Sequence, residues 1–334
     1  MKALFLGSVV ERSGKTMVAL GLARNFDGKV GFFKPFKENV VSIKGRVVDQ
    51  DAHLMHSVLG LEDEVDLLSP CTYNVYRPVN MDQIVERYNK VSKDKDLMII
   101  EGTRDITTGY LHGVSYLAIA KDLDADMVLV STPKPEALDK IFMFKKLCER
   151  YEIPLKGVIL NNCDDPAVEA FLKDRGVEVL GSIPTVKELK RFRVREVVDA
   201  LGAEVLVGEE GLDRAVEDVM VGAMNPESAI KYMRRLSKKA VITGGDRSDL
   251  QMAALSTDTS CIILTGGMFP PKTVISKAFE AGVPILLVRQ DTLTAAEMVD
   301  HLIARIDPED GEKVEMITQA VRGNVNLSKV FDRE

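Results

Sequence analysis

The sequence predicts an α/β protein, with a parallel sheet flanked by helices followed by a second, smaller α/β domain. Short apolar runs alternate with amphipathic stretches along most of the chain, which indicates strand, helix and strand in succession. These runs are continuously apolar, as expected of parallel strands that helices cover on both faces. At 334 residues the chain is also long enough for two hydrophobic cores.

The first part of the chain has the clearer pattern. A strand at Lys2–Leu6 is followed by a helix at Lys15–Asn25 and a strand at Val30–Phe33. A long helix is predicted at Glu136–Tyr151. The further strands of this part are predicted at Leu97–Ile100, Met127–Val130, Val158–Leu160 and Val177–Leu180. Together these elements predict one doubly covered parallel sheet.

Around Thr185–Arg195 the apolar pattern gives way to charge, and we place a domain boundary near residue 190. The predicted domains are therefore 1–190 and 191–306, with a polar C-terminal tail at 307–334 that contains one helix near Lys313–Val321. The strands predicted in the second domain are Ala240–Ile242, Cys261–Leu264 and Pro284–Val288. Its predicted helices are Leu250–Leu255, Lys272–Ala281 and Ala295–Ile306.

Charge and cysteine usage exclude several functional classes. The net charge of −7 and the pI near 5.4 argue against a broad surface for nucleic acid or anionic lipid. The four cysteines form no CxxC pair, which fits neither a disulfide framework nor a zinc site and points to a reducing cytoplasm. No stretch approaches the roughly 20 apolar residues of a membrane span, so no membrane is expected as a partner.

A glycine-containing loop joins the first strand to the first helix. It runs from Gly7 to Thr16 and ends in Ser13-Gly14-Lys15-Thr16. Glycine lets the backbone approach phosphate closely, and N–H groups at a helix N-terminus face the anion. Lys15 is expected to neutralise the phosphates of ATP or a close relative, and the Thr16 hydroxyl to hold Mg²⁺. The loop thus predicts a P-loop sheet, although its glycine spacing is longer than the common one.

A magnesium ion bound to phosphates normally takes one or two carboxylates from the protein. Glu101 follows the apolar run Leu97–Ile100, and parallel α/β sheets bind ligands at the carboxyl ends of their strands. Asp49 and Asp51 are further candidates, for which a helix N-cap is the alternative interpretation.

Five motifs in order resemble the landmarks of the dethiobiotin synthetase-like ATPases: GSVVERSGKT, FFKPF, IIEGT, GVILNN and LGSIP. The resemblance is strongest to the N-terminal region of long bacterial phosphotransacetylases and to its stand-alone archaeal relatives. The stretch from about residue 193 to 305, with VITGGDRSDLQMAAL and IILTGG, is similar to the DRTGG domain that follows in those proteins. The acetyltransferase domain of those proteins would begin where this sequence stops, so acetyl transfer by this chain is not expected.

The resemblance implies roles for individual residues. Lys15 and Thr16 would bind phosphate and Mg²⁺, and Asp51 and Glu101 would complete the metal shell. Lys34 would approach the γ-phosphate and the acidic group of a substrate, unless it is an exposed lysine at the end of a strand.

The same resemblance places Asn161 at the edge of the adenine, with GTP as the alternative nucleotide. Pro184 would pack on the base, unless it only terminates a loop.

Two departures from the synthetases concern substrate recognition. A small serine-containing loop holds the diamine substrate of a synthetase, and here Phe36-Lys37-Glu38-Asn39 replaces it. A turn rich in glycine and alanine is replaced by Thr103-Arg104-Asp105. The substrate of the family is therefore not transferred, and biotin synthesis is not expected.

In the second domain, two predicted strands end in glycine pairs, Gly244-Gly245 and Gly266-Gly267. These pairs either admit a small-molecule effector or serve backbone packing, with Asp246 as an alternative helix cap. A homodimer is expected from the resemblance alone. Two functions remain open: a regulatory or metabolite-sensing module that binds Mg-ATP, and an ATP-dependent ligase that activates a carboxylate or carbamate in an unknown substrate.

Overall fold

The structure is a computed structural model that describes residues 1–43, 45–104, 106–303 and 305–332. Asp105, one of the residues at which the sequence departs from the synthetases, lies outside the described residues. The chain divides into two compact units, one formed by Met1–Thr185 together with the segment that starts at Ile306, the other by Val186–Arg305. Within the described residues no helix combines the length and apolar character needed to cross a membrane.

The first unit contains a six-stranded parallel sheet. Its strands and those of the small sheets beside it are β1 (Lys2–Gly7), β2 (Val30–Phe33), β3 (Phe36–Lys37), β4 (Val40–Ile43), β5 (Arg46–Asp49), β6 (Cys71–Thr72), β7 (Leu97–Glu101), β8 (Asp126–Ser131), β9 (Leu155–Asn161) and β10 (Val179–Ile183). The large sheet has the order β10-β9-β8-β1-β7-β2, and each neighbouring pair is parallel. The fold class predicted from the continuous apolar runs is therefore confirmed.

Helices cover this sheet and connect its strands. They are α1 (Lys15–Arg24), α2 (Gln50–Leu59), α3 (Val65–Leu68), α4 (Met81–Val91), α5 (Tyr116–Asp122), α6 (Pro135–Tyr151) and α7 (Pro166–Lys173). All five residues of β7 are buried, which explains its uninterrupted apolar sequence up to Glu101. Because all strands of the large sheet are parallel, their carboxyl ends lie at one edge, where the loops after β1, β7 and β9 meet.

The second unit is a smaller α/β domain, as predicted. Its strands are β11 (Phe192–Arg193), β12 (Glu204–Val207), β13 (Ala215–Val216), β14 (Asp218–Val221), β15 (Lys239–Gly244), β16 (Thr259–Thr265) and β17 (Ile285–Leu287). Its helices are α8 (Val194–Leu201), α9 (Pro226–Met233), α10 (Ser248–Leu255), α11 (Lys272–Ala281) and α12 (Thr292–Ile303). The sheet order is β12-β17-β16-β15-β14, with only β12 antiparallel to its neighbour.

The C-terminal segment differs from the separate polar tail that the sequence predicts. It forms α13 (Gly311–Asn324) and α14 (Leu327–Phe331) and belongs to the first unit. The buried face of α13, which includes Ile317 and Val321, packs against α1. The sequence analysis did not detect this apolar stripe, because polar residues of the exposed face lie between its members along the chain.

A tight contact between α1 and α13 gives a stability test. A Cβ added at Gly21 of α1 would lie 2.2 Å from Val321 Cγ2, whereas a Cβ at Gly323 of α13 would meet nothing within 4 Å. Gly21→Ala is expected to lose about 1–2 kcal/mol, because overpacking outweighs the gain in helix propensity. Gly323→Ala should gain about 0.5–1 kcal/mol. Urea unfolding should show the same transition moving in opposite directions in the two variants; equal stabilisation by both would contradict this packing.

Candidate nucleotide site

The loop after β1 ends at a helix N-terminus whose cap residue has no side chain. Gly14 is the N-cap residue of α1 and has the left-handed backbone conformation, with φ of 90°. This cap residue therefore provides no side-chain hydrogen bond to the first N–H groups of α1. The N–H groups of a helix's first turn lack intrahelical partners, so this end of α1 can bind an anion.

Asn161, at the end of β9, holds the loop from the side. Its Nδ2 donates to the carbonyl oxygen of Ser13 at 2.9 Å, and a Cβ on Gly14 would lie 2.1 Å from that nitrogen. Glycine is therefore required at position 14 for both its φ and its space. The contact gives Asn161 a role in positioning the loop, and its predicted contact with adenine stays a prediction.

Lys15 lies inside the loop rather than on its surface. Its Nζ donates to Ser8 Oγ at 3.2 Å, and Ser8 Oγ in turn donates to the carbonyl of Val10 at 2.6 Å. Burial lowers the pKa of Lys15, while the carboxylates of Glu101 and Glu38 oppose that effect. In the described part of the chain the ammonium group of Lys15 has one hydrogen-bond partner, a neutral hydroxyl, so this group is well suited to bind a phosphate. The sequence analysis did not single out Ser8.

Thr16 and Glu101, predicted as a metal pair, are in contact. Thr16 Oγ1 donates to Glu101 Oε1 at 2.8 Å. Glu101 Oε2 is buried and has no hydrogen-bond partner among the described residues. Burial and the nearby charge of Asp51 raise the pKa of Glu101 to about 8, against the effects of Lys34 and Lys15. An orphaned carboxylate oxygen beside a threonine hydroxyl suits a hard divalent cation.

The raised pKa of Glu101 predicts a pH-dependent stability. The pKa of Glu101 is near 4.5 in the unfolded chain and about 8 in the folded chain. Between these two pH values the folded chain holds the proton and the unfolded chain does not. Unfolding therefore releases a proton in this window, and the unfolding free energy should fall as pH rises, by at most about 1.4 kcal/mol per pH unit.

Glu101→Gln should flatten this dependence in urea unfolding between pH 5 and 8. Glu86→Gln is the control, because Glu86 is exposed and its hydrogen bond with Lys90 lowers its pKa instead. Equal pH slopes in the wild type and Glu101→Gln would contradict the prediction.

Lys34 follows β2 and is buried among carboxylates. Its Nζ lies 2.5 Å from Asp51 Oδ2, 3.4 Å from Asp49 Oδ2 and 3.7 Å from Glu38 Oε2. Burial alone would lower the pKa of Lys34, but the negative charges of Asp51, Glu101, Asp49 and Glu38 outweigh it and raise that pKa. The alternative of an exposed lysine at a strand end is wrong, since Lys34 is 1% exposed.

The two aspartates at the start of α2 have different roles. Asp49 is the N-cap: its Oδ1 accepts from the N–H groups of Asp51 and Ala52, and its Oδ2 from that of Glu38. The cap interpretation therefore holds for Asp49. Asp51 pairs with Lys34 instead, so its predicted contact with Mg²⁺ stays a prediction.

Acidic groups outnumber ammonium groups near the loop. Four carboxylates, those of Glu38, Asp49, Asp51 and Glu101, act on Lys34, whereas Lys15 and Lys34 are the two ammonium groups that act on Glu101. The raised pKa of Glu101, about 8, means that this carboxyl holds a proton at neutral pH, and the Arg104 guanidinium lies 3.7 Å from Glu38 Oε1. In the described part of the chain, no three or more acidic, histidine or cysteine side chains are arranged to hold a metal by themselves. Mg²⁺ at nucleotide sites needs no such cage, because phosphate and water supply most ligands.

Pro184 lies at the far side of the same sheet edge, directly after β10. It is exposed, and the next residue, Thr185, donates through its N–H and its hydroxyl to Asp164 at 2.8 and 2.7 Å. The structure thus places Pro184 on a braced loop, and its contact with a base stays a prediction.

Tyr116 on α5 is a positioning residue that no sequence signal indicates. Its ring lies against Gly7 and Gly102, where an added Cβ would come within 3.0 and 2.5 Å of ring carbons. Its hydroxyl donates to the carbonyl of Thr103. Tyr116 therefore fixes the ends of β1 and β7 relative to each other.

Packing explains Gly245 of the first glycine pair, whereas Gly266 and Gly267 have positive φ and a Cβ on Gly267 would meet nothing within 4 Å, so a ligand at this turn stays a prediction. A Cβ on Gly245 would lie 1.8 Å from the carbonyl oxygen of Met268, so the turns after β15 and β16 contact each other through backbone. Gln251 Nε2 donates to the carbonyls of Gly244 and Gly245 at 2.9 and 3.1 Å. Asp246 does not cap α10, since the N-cap residue is Arg247.

Comparison with known proteins places the chain. The family model of an AAA domain matches residues 2–193, more than half of the sequence. The chain belongs to this AAA-domain family. The family model of a DRTGG domain matches residues 196–302, so the DRTGG domain follows the AAA domain, as the ordered motifs predict.

Relatives of two kinds match the chain. The phosphate acetyltransferase of Pseudomonas aeruginosa is 26% identical over an alignment that covers 100% of this chain and 52% of that protein. The chain spans about half the length of the curated phosphate acetyltransferases it matches. The ATP-dependent dethiobiotin synthetase BioD of Nitrosopumilus maritimus is 26% identical and covers 59% of this chain and 95% of its own length.

Among solved structures, a ParA family ATPase from Chlorobium tepidum matches 56% of this chain and 86% of its own, at 18% identity and a TM-score of 0.40. The CBS and DRTGG domains of Clostridium perfringens pyrophosphatase, complexed with diadenosine tetraphosphate, match 48% of this chain and 69% of theirs, at 20% identity and a TM-score of 0.30. TM-scores this low do not bear on the site. The strand order of the chain itself shows its architecture.

Proposed function

We propose that this chain binds a nucleoside triphosphate, preferentially ATP, with Mg²⁺, and that it acts as a regulatory or metabolite-sensing module. The observation that carries the proposal is the pair formed by Thr16 and Glu101 at the glycine-capped N-terminus of α1, where Glu101 Oε2 is buried and has no hydrogen-bond partner in the part of the chain that the structure describes. The bound Mg²⁺ would supply positive charge to the phosphates and to this carboxylate. Lys15 would contact the phosphates from within the loop.

The protonation state of Glu101 supports the divalent cation. Four carboxyl groups lie near two ammonium groups, and burial raises the pKa of Glu101 to about 8, so this carboxyl holds a proton at neutral pH. A bound Mg²⁺ would favour the ionised carboxylate and displace that proton. We therefore expect nucleotide and metal to bind together, with weak binding of nucleotide in the absence of metal.

The surroundings of Lys34 support a sensor rather than an enzyme. Three carboxylates lie within 4 Å of its ammonium group, so the group is already neutralised before any acidic substrate arrives. The curated phosphate acetyltransferases continue for about as long again as the part that this chain matches. A module of this kind would report nucleotide state to a catalytic partner.

Calorimetry and turnover measured on the same preparation test the proposal. Mg-ATP is expected to bind with a dissociation constant in the micromolar range, about −8 kcal/mol, and Mg-GTP more weakly. Hydrolysis should remain far below the roughly 1 s⁻¹ at the low end for enzymes. The absence of heat with both nucleotides at millimolar concentration would exclude the nucleotide site, and rapid turnover would exclude the sensor.

The second candidate is an ATP-dependent ligase that activates a carboxylate or carbamate. The similarity to BioD of Nitrosopumilus maritimus over 95% of that protein favours it, and phosphoryl transfer needs mainly Mg²⁺ and positioned cations. Lys34 would have to leave its carboxylate partners in such an enzyme. Stimulation of ATP hydrolysis by one carboxylic acid or amine in a screen would support the ligase over the sensor.

A further inference from the structure

Lys34 is the second cation of the nucleotide site and would be the natural anchor for an acidic compound beside the terminal phosphate. It is almost fully buried, and its charge and that of Lys15 act on the same carboxylate, Glu101. An ammonium group has three N–H donors. The described residues place three carboxylates within 4 Å of Lys34, as many as it has donors.

Two of these three carboxylates are firmly held where they are. Asp49 caps α2 and is fully buried, and Asp51 makes the shortest contact with Lys34. Glu38 makes the longest contact with Lys34, at 3.7 Å, and is not the N-cap residue of any described helix; its Oε1 lies 3.7 Å from the guanidinium of Arg104. Glu38 is therefore the carboxylate whose place an external acid could take.

Glu38 is held in this place at both its backbone and its side chain. Its N–H donates to Asp49 Oδ2 at 3.0 Å, and its Oε1 accepts from the N–H of Arg104 at 2.9 Å. With Oε1 fixed by Arg104, Oε2 faces Lys34. The loops after β2 and β7, at which the sequence departs from the synthetases, are thus joined to each other through Glu38.

We propose that Glu38 determines specificity by acting as an internal substitute for an acidic second ligand: its carboxylate pairs with Lys34 and keeps small carboxylates out of the site. This inference rests on the proposed nucleotide function and adds to it, because it gives a reason why the site would bind Mg-nucleotide without a second acidic ligand. The exchange is neutral in charge, since an external carboxylate replaces an internal one. Replacing glutamate by serine removes roughly three heavy atoms, close to the size of acetate.

Chemical rescue tests the inference. Thermal unfolding of the full chain is followed in sodium acetate and in sodium chloride at equal ionic strength, with and without Mg-ADP. Glu38→Ser is expected to unfold about 2–4 °C higher in 100 mM acetate than in chloride. The wild type and Glu38→Gln should not respond, because glutamate supplies its own carboxylate and glutamine still fills the space. Glu38→Ala, which removes Cγ, Cδ and both carboxylate oxygens, takes the place of the serine variant if that variant does not fold.

The outcomes are separable from those of the nucleotide test. A serine or alanine variant that acetate does not stabilise would overturn the inference, as would an equal response in the wild type or in Glu38→Gln. Because the acetate response is also measured without nucleotide, such a result leaves Mg-ATP binding untouched. Conversely, failure of the wild type to bind Mg-ATP would sink the proposed function while the rescue of Glu38→Ser could still be observed.

Discussion

Replacing Lys15 by methionine is expected to weaken Mg-ATP binding by at least about 100-fold, or roughly 2.7 kcal/mol. Lys15 is buried in the loop, and its ammonium group has only the Ser8 hydroxyl within hydrogen-bond distance in the described contacts. A phosphate would be its main charged partner, and removal of one member of a buried charge pair leaves the other uncompensated. Methionine keeps most of the side-chain volume, so the loop is expected to retain its shape.

The matched control is Lys29→Met, the same substitution at an exposed lysine of the first unit. It should change the dissociation constant by less than about twofold, because exposed charges at a distance are screened. Calorimetry with Mg-ATP measures both variants, and circular dichroism confirms that they are folded. Unaltered affinity in Lys15→Met would place the nucleotide elsewhere and refute the assignment of this loop.

Replacing Lys34 by methionine is expected to give the largest loss of stability, about 3–5 kcal/mol at pH 8. Three carboxylates would then lie in the site without their common cation. Burial already raises the pKa values of Glu38 and Asp49 and Lys34 opposes that effect, so these two pKa values should rise further. The variant should then take up protons on folding and recover part of its stability as the pH is lowered towards 5. Urea unfolding at pH 5 and pH 8 measures both effects.

Lys37→Met is the control for this prediction. Lys37 also pairs with an aspartate, at 2.5 Å from Asp66 Oδ1, but Asp66 is 45% exposed. A pair that water can reach contributes about 0–1 kcal/mol, so this variant should remain close to the wild type at both pH values. If the two lysine variants lost similar amounts of stability, the buried cluster around Lys34 would not be the reason.

The predictability of the site differs between its residues. Lys15, Thr16 and Glu101 were found because a strand, a loop and a helix follow one another locally, and because parallel strands bring their carboxyl ends together. The contact between Thr16 and Glu101 spans 85 residues of sequence and follows from that rule alone. The identity of the nucleotide and the contacts of Asn161 and Pro184 with it remain predictions.

Other features depended on contacts that no local pattern encodes. The segment after Ile306 has few apolar residues for its length, and only its packing against Gly21 of α1 shows that it completes the first unit. Glu38 was visible in the sequence as a charged residue in an unusual position. Glu38 is four residues after Lys34, a spacing that predicts an ion pair only within a helix. This segment is not helical, so the spacing by itself did not predict the contact.

The sequence by itself determined the α/β class, the six strands of the large sheet and the presence of a second α/β unit, because each depends on periodicity or on neighbours within one short segment. It also predicts the phosphate loop, which stays a prediction. Only the tertiary structure decided that Lys34 is neutralised by three carboxylates, that Asn161 braces the loop and that the C-terminal helices return to the first unit. The physical reason is that the charge state and contacts of a side chain depend on which groups surround it in space, and those groups come from segments distant in the chain.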